Sequence, residues 1–90
     1  MEKQVEAKLV AGIKKRGGQA VKFVSPASVG WPDRLVLLPG GRVVFVELKT
    51  SKGRLSKMQE HRLGQLRGLG MAVEVLHGDD EVKEFLDGIA

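Results

Sequence analysis

Residues 33–49 read DRLVLLPGGRVVFVELK, and this stretch decides the predicted fold. Two apolar runs, 33–38 and 42–49, flank the turn sequence PGG, which is typical of a β-hairpin. Both runs are apolar at odd and at even positions. They therefore predict two central strands of a sheet that is covered on both faces.

The length of the turn sets which residues oppose each other across the hairpin. If the loop comprises residues 39–41, Asp33 lies directly opposite Glu47 on one face of the sheet, a spacing at which like charges repel. Lys49 follows Glu47 by two positions and shares that face. A loop of two residues would break this register, so the prediction depends on the three-residue turn.

The rest of the chain predicts an α/β domain around the hairpin. The expected elements are a helix over 2–16, a strand over 19–24, a helix from the Ser56–Gln59 capping box to about Leu69, a strand over 71–77 and a last helix capped by Asp79. This order predicts a mixed sheet flanked by helices, with a parallel crossover over 42–77 and a short C-terminal helix. We expect residues 1–90 to form a single domain.

The charges are distributed unevenly along the chain. Residues 1–73 carry 14 Lys and Arg against five Asp and Glu, whereas residues 74–90 carry six carboxylates and one base. A basic body with an acidic end indicates a polyanionic partner, nucleic acid first. The absence of Cys excludes disulfides and thiolate chemistry, and no apolar run is long enough for a membrane span or signal peptide.

The opposed carboxylates suggest a metal site. A divalent cation would remove the repulsion between Asp33 and Glu47, and hard oxygen ligands suit Mg²⁺ or Mn²⁺. Lys49 could then activate water or stabilise charge on a phosphate. Glu6, on the apolar side of the first helix, could complete the ligand set. The alternative is structural, with both carboxylates ending strands and pairing with nearby arginines or with Lys49.

Several strings resemble one nuclease family. GWPD at 30–33, ELK at 47–49 and Gln59 resemble the PD-(D/E)xK nuclease superfamily, and most closely its VRR-NUC (virus-type replication-repair nuclease) domain in the small stand-alone form of phages and bacteria. The similarity also includes KKRGG, KFVSP, LLPGG and LRGLG, so it covers nearly the whole chain. It implies a restriction-endonuclease-like αβββαβ core and metal-dependent hydrolysis of DNA phosphodiesters.

The resemblance also implies roles for individual residues. The metal ligands of the family match Asp33, Glu47, the backbone carbonyl of Leu48 and Glu6, with Glu2 as the second choice for the first helix. The family's lysine and glutamine match Lys49 and Gln59. Gln59 has a structural alternative as part of the capping box, and the two roles can coexist. Trp31 departs from the family, whose members often carry a small or aliphatic residue there.

Other basic and polar residues are weaker candidates. We predict substrate contacts at five positions beside the presumed cleft: Lys22, Ser25, Lys52, Arg54 and Lys57. Each could equally be a solvated surface residue. His61 and His77 are not spaced as a metal pair, and Trp31 is more readily explained by packing beside Pro32 than by stacking on a base.

Together these observations predict a Mg²⁺- or Mn²⁺-dependent, structure-selective DNA endonuclease. Small relatives resemble Holliday-junction resolvases, so we expect a homodimer that cuts four-way junctions or flaps in the cytoplasm of a bacterium or a phage-infected host. The alternative is a non-catalytic basic module that binds nucleic acid or a protein.

Overall fold

A computed structural model describes residues 3–89 of the 90-residue chain. The helices and strands follow one another in the expected order. They are α1 Lys3–Lys15, β1 Gln19–Lys22, β2 Arg34–Leu38, β3 Arg42–Lys49, α2 Lys57–Gly68, β4 Ala72–His77 and α3 Gly78–Asp87. The sheet order is β1-β2-β3-β4, antiparallel except for the parallel pair β3–β4. The α/β class with a mixed sheet and flanking helices is therefore confirmed.

The hairpin has the predicted register. Leu38 pairs with Arg42 and Arg34 pairs with Val46, so the turn comprises three residues. Gly40 and Gly41 have φ angles of 81° and 77°, which glycine adopts at little cost because it has no Cβ. The turn chemistry thus sets the register that brings Asp33, just before β2, level with Glu47 in β3.

The two faces of the sheet have different functions in the fold. Val46 and Leu48 point into the main core, which α1 and α3 cover with residues that include Leu9 and Ile13. Glu47 and Lys49 alternate with them and point to the opposite face. Helix α2 lies on that second face. The predicted polar site is therefore separated from the main core by the sheet itself.

Two predicted boundaries were wrong. β1 ends at Lys22 and not at Val24. The Phe23 N–H still donates to the Asp33 carbonyl, but beyond this bond the chain leaves β2 and enters a loop. The last helix begins at Gly78, with His77 as its N-cap residue, so Asp79 lies inside the helix and does not cap it. The Glu81 carboxylate instead accepts a hydrogen bond from the His77 N–H, at 2.8 Å.

The acidic end lies on the α1 side of the sheet. Val82 and Leu86 of α3 are buried in the core that α1 covers, and the Lys8 ammonium pairs with Asp79 at 2.9 Å. These contacts place α3 on the face of the sheet opposite to Glu47. No helix within residues 3–89 is long and apolar enough to span a membrane.

Candidate active site

Glu47 is the central residue of the site. It is 3% exposed, and its Oε2 accepts a hydrogen bond from Gln59 Nε2 at 2.9 Å and lies 3.3 Å from Lys49 Nζ. Its other oxygen, Oε1, is buried and has no hydrogen-bond partner among residues 3–89. Burial and the charge of Asp33 raise the pKa of Glu47, and the Lys49 ammonium and the backbone of Asp33 only partly offset them. One oxygen of this carboxylate is therefore open to a further positive ligand.

Asp33 is the last residue of the loop between β1 and β2. It faces the C-terminal residues of β3. Its Oδ2 accepts a hydrogen bond from the Leu48 N–H at 2.9 Å. In an extended strand the N–H and C=O of one residue point toward the same neighbour, so the Leu48 carbonyl also faces the Asp33 side. β3 continues three residues past its last pair with β2, which leaves this backbone edge free of strand pairing.

Gln59 completes the capping box and contacts Glu47 with one side chain. Its Oε1 accepts from the Ser56 N–H at 2.9 Å, while Ser56 Oγ accepts from the Gln59 N–H at 3.1 Å, which completes the capping box of α2. Because Oε1 is occupied by the cap, Nε2 is directed to Glu47. The helix cap therefore also orients the amide toward the carboxylate.

Glu6 does not join the other two carboxylates. Its Oε2 lies 3.0 Å from Arg34 Nη2, and this arginine also donates to the Ala20 carbonyl. Arg34 pairs with Val46, a core residue, so its side chain and Glu6 belong to the α1 face of the sheet. Glu6 would have to leave Arg34 to become a ligand. Glu2 lies outside the described residues.

The residues that are brought together fit a hexacoordinate oxygen-binding cation. Residues 3–89 contain no cluster of three or more His, Cys, Asp or Glu side chains at metal-binding distance. Mg²⁺, however, is commonly held by one or two carboxylates together with water and substrate phosphate. Asp33, the unpartnered oxygen of Glu47 and the Leu48 carbonyl provide this kind of donor set.

The predicted substrate residues lie in two connections that leave the same end of the sheet. Lys22 ends β1, and Ser25 is half-buried in the loop that follows. Lys52, Arg54 and Lys57 are exposed between β3 and the first turn of α2. Within residues 3–89, none of these four lysines and arginines forms an ion pair with a carboxylate. They are thus available to phosphates, and their predicted role stays a prediction.

The sequence did not point to Arg62. Its guanidinium carbon lies 4.8 Å from the centre of the Trp31 ring, and its Nε donates to the Val29 carbonyl at 3.1 Å. Trp31 is packed as expected, edge-on against Phe23. The spacing of Arg62 from Gln59, one helical turn, could have indicated that both lie on the same side of α2.

The comparisons with known proteins identify the family of the chain. The family model of the VRR-NUC domain matches residues 3–80. The protein named "Putative nuclease p44", from Acyrthosiphon pisum secondary endosymbiont phage 1, is 43% identical over 79 residues, which cover 88% of this chain and 85% of that protein. A solved structure of a VRR-NUC domain superposes with a TM-score of 0.90 at 25% identity, covering 97% of this chain and 95% of the other. The chain therefore belongs to the VRR-NUC domain family.

Proposed function

We propose that this protein is a divalent-metal-dependent endonuclease that hydrolyses DNA phosphodiester bonds, with a preference for branched DNA. One observation carries the proposal: Glu47 is buried beside Lys49, and one of its carboxylate oxygens has no hydrogen-bond partner in the part of the chain that the structure describes. A protein that only bound DNA would gain nothing from an anion buried at a free-energy cost. A metal enzyme needs such an oxygen, and membership of a nuclease domain family supports the same function.

The proposed ligands are Asp33, Glu47 and the Leu48 carbonyl, and the proposed ion is Mg²⁺ or Mn²⁺. Glu6 would be a further ligand only after its release from Arg34. The ion would lower the pKa of a bound water and neutralise charge on the scissile phosphate. Lys49 Nζ lies beside Glu47 and can orient or deprotonate the attacking water, or donate a hydrogen bond to the charge that develops on the phosphate. Gln59 holds Glu47 in place through its amide.

Phosphate binding is assigned to Lys22, Lys52, Arg54 and Lys57, with Ser25 as a polar contact. These residues lie in the two connections beside the site. The preference for four-way junctions or flaps and the homodimeric state come from the family resemblance. A homodimer would present two such sites to opposite strands of a symmetric junction.

A cleavage assay on labelled DNA tests this proposal by comparing the parent protein with Asp33→Asn. We expect the parent protein to cut a four-way junction faster than a linear duplex with Mg²⁺ or Mn²⁺, and to cut neither in EDTA. Asp33→Asn should lose at least about a hundredfold in rate, because the lost charge weakens the metal site at the reacting phosphate. Glu60→Gln, an exposed carboxylate on α2, is the matched control and should retain the parent rate.

Metal binding can be measured in the same proteins without an activity assay. At a hundredfold excess of Mn²⁺ over its dissociation constant, the parent Tm should rise by roughly 10 °C, and the rise should be largely lost in Asp33→Asn. Glu6→Gln should reduce this rise less than Asp33→Asn does, since Glu6 is held by Arg34. A parent that binds DNA but neither cuts it nor responds to metal would instead be the non-catalytic module. Light scattering that gave the monomer mass at micromolar concentration would count against the homodimer.

Gln59→Glu separates the two roles of Gln59. Glutamate at this position preserves the capping box, but it replaces the amide donor facing Glu47 with a second carboxylate. We expect cleavage to fall by about 10- to 100-fold with unchanged helical content by circular dichroism. Ser56→Ala should do the reverse, with a loss of about 1 kcal/mol in unfolding free energy and a smaller change in rate. Equal rates for Gln59→Glu and the parent would show that the contact with Glu47 is dispensable.

A further inference from the structure

The loop that ends at Asp33 is attached to helix α2 through one arginine. Arg62 Nε donates to the Val29 carbonyl at 3.1 Å, and the guanidinium carbon lies 4.8 Å from the centre of the Trp31 ring. A cation over an indole face is attracted by the ring's electron density. The same side chain therefore holds the loop at two positions, four residues and two residues before Asp33.

The chain between these contacts and Asp33 is tightly packed. Trp31 meets Phe23 edge-on, with ring centres 5.9 Å apart, and Phe23 meets Phe45 in the same way at 5.8 Å. Gly30, at φ 88°, lies so close to α2 that an added Cβ would stand 2.6 Å from Met58 Cγ. Pro32 is fully buried. A displacement of Trp31 would therefore be transmitted to Asp33 and not absorbed in between.

The rest of the loop has little apolar burial of its own to hold it. Val24 and Val29 are each 69% exposed. Asp33 itself is fixed by its carboxylate bond to the Leu48 N–H and its carbonyl bond to the Phe23 N–H. Without Arg62, the segment that leads into Asp33 would lose the hydrogen bond that attaches Val29 to α2. It would also lose the cation–π contact at Trp31.

We infer that Arg62 is a positioning residue for Asp33, and that it acts through Trp31 and the Val29 carbonyl. This inference rests on the proposed function, because it assigns Arg62 to the same metal site. Gln59, one turn earlier on α2, holds Glu47. Helix α2 thus controls both carboxylates, Glu47 through Gln59 and Asp33 through Arg62. A displacement of about 1 Å in such a site is enough to slow the chemistry strongly.

A basic residue in a DNA-binding protein could instead contact a phosphate directly. The two roles have different signatures. Loss of a phosphate contact weakens DNA binding and reduces its salt dependence, but leaves the metal affinity and the rate at saturating DNA unchanged. Loss of a positioning residue does the opposite, since DNA still binds while the metal site is disordered.

The test compares Arg62→Ala and Arg62→Lys with Arg67→Ala, an exposed arginine in the last turn of the same helix. Trp31 is the single tryptophan of the chain, so its fluorescence reports directly on the arginine contact. For Arg62→Ala we expect a red-shifted emission, a Mn²⁺ dissociation constant raised about tenfold and a single-turnover rate at saturating DNA reduced about tenfold or more. The DNA dissociation constant should change by less than about threefold. Arg62→Lys keeps a cation and should be intermediate, and Arg67→Ala should match the parent.

Two results would overturn the inference. The first is weaker DNA binding by Arg62→Ala with parental Mn²⁺ affinity and single-turnover rate, which would make Arg62 a phosphate contact. The second is parental behaviour in all three measurements. If Arg62→Ala fails to fold, Trp31→Leu removes the same contact from the other side, and a parental Mn²⁺ affinity in that variant overturns the inference equally. A parent protein that binds no Mn²⁺ and cuts no DNA would remove the proposed function itself, a result distinct from both.

Discussion

Glu47→Gln is expected to abolish cleavage and yet to make the metal-free protein more stable at neutral pH. The substitution removes a buried carboxylate whose Oε1 has no hydrogen-bond partner among the described residues 3–89, so we expect a rate loss of at least about a hundredfold. It also removes a charge whose burial beside Asp33 is unfavourable, as the raised pKa of Glu47 shows. The proposed chemistry therefore depends on the Glu47 carboxylate, although its charge lowers the free energy of unfolding of the metal-free protein.

The pH dependence of stability checks this directly. A carboxyl whose pKa is raised in the folded state is neutral in both states at low pH, and its ionisation opposes folding as the pH rises. In EDTA, the parent's unfolding free energy should therefore fall relative to that of Glu47→Gln from about pH 4.5, the ordinary pKa, up through the raised pKa. Urea unfolding at several pH values measures the difference. A variant less stable than the parent at pH 7 would mean that Gln59 and Lys49 fully compensate the charge of Glu47.

Lys49→Met is expected to abolish cleavage too, but with the opposite effect on stability. Lys49 is the cation 3.3 Å from Glu47 Oε2, and its side chain is 20% exposed. Removing it leaves the buried carboxylate without its positive partner, which should cost about 2 kcal/mol of unfolding free energy at pH 7. The cost should shrink at low pH, where Glu47 is protonated. The rate should fall at least about a hundredfold, while Mn²⁺ binding is retained because the ligands remain.

The double variant Glu47→Gln/Lys49→Met tests whether the two effects share one cause. If the destabilisation by Lys49→Met comes from the charge on Glu47, most of it should vanish when residue 47 is already neutral. Equal losses from Lys49→Met in both backgrounds would instead assign the effect to packing of the lysine stem. Glu60→Gln, an exposed carboxylate on α2, serves as the control for a change in net charge.

The hairpin and the α2 cap show how much local sequence can predict. The turn PGG has two glycines with positive φ, so its length and the strand alternation around it determine which residues oppose each other. The Ser56–Gln59 capping box is equally local, since it links positions only three residues apart. Asp33, Glu47, Lys49 and Gln59 could be proposed as one site because each follows from such a rule or from the family resemblance.

Glu6, β1 and α3 show where local rules were insufficient. The apolar stripe of α1 placed Glu6 toward the interior but could not reveal its partner, because Arg34 lies 28 positions away and meets it only when α1 packs on the sheet. The predicted β1 was too long because a strand-like residue pattern continues to Val24, whereas the pairing with β2 ends at Lys22 and Arg34. The prediction that Asp79 caps the last helix was wrong, because His77 occupies the N-cap position. The Glu81 carboxylate accepts a hydrogen bond from the His77 N–H.

By itself, the sequence determined the order of elements, the hairpin register and the pairing of Asp33 with Glu47, because these depend on turn geometry, alternation and short spacings. Only the tertiary structure decided which carboxylate oxygen is left without a partner, where Glu6 goes and how Arg62 reaches the loop before Asp33. These features depend on which elements pack on each face of the sheet. Contacts between distant segments are set by that packing, and no local pattern encodes them.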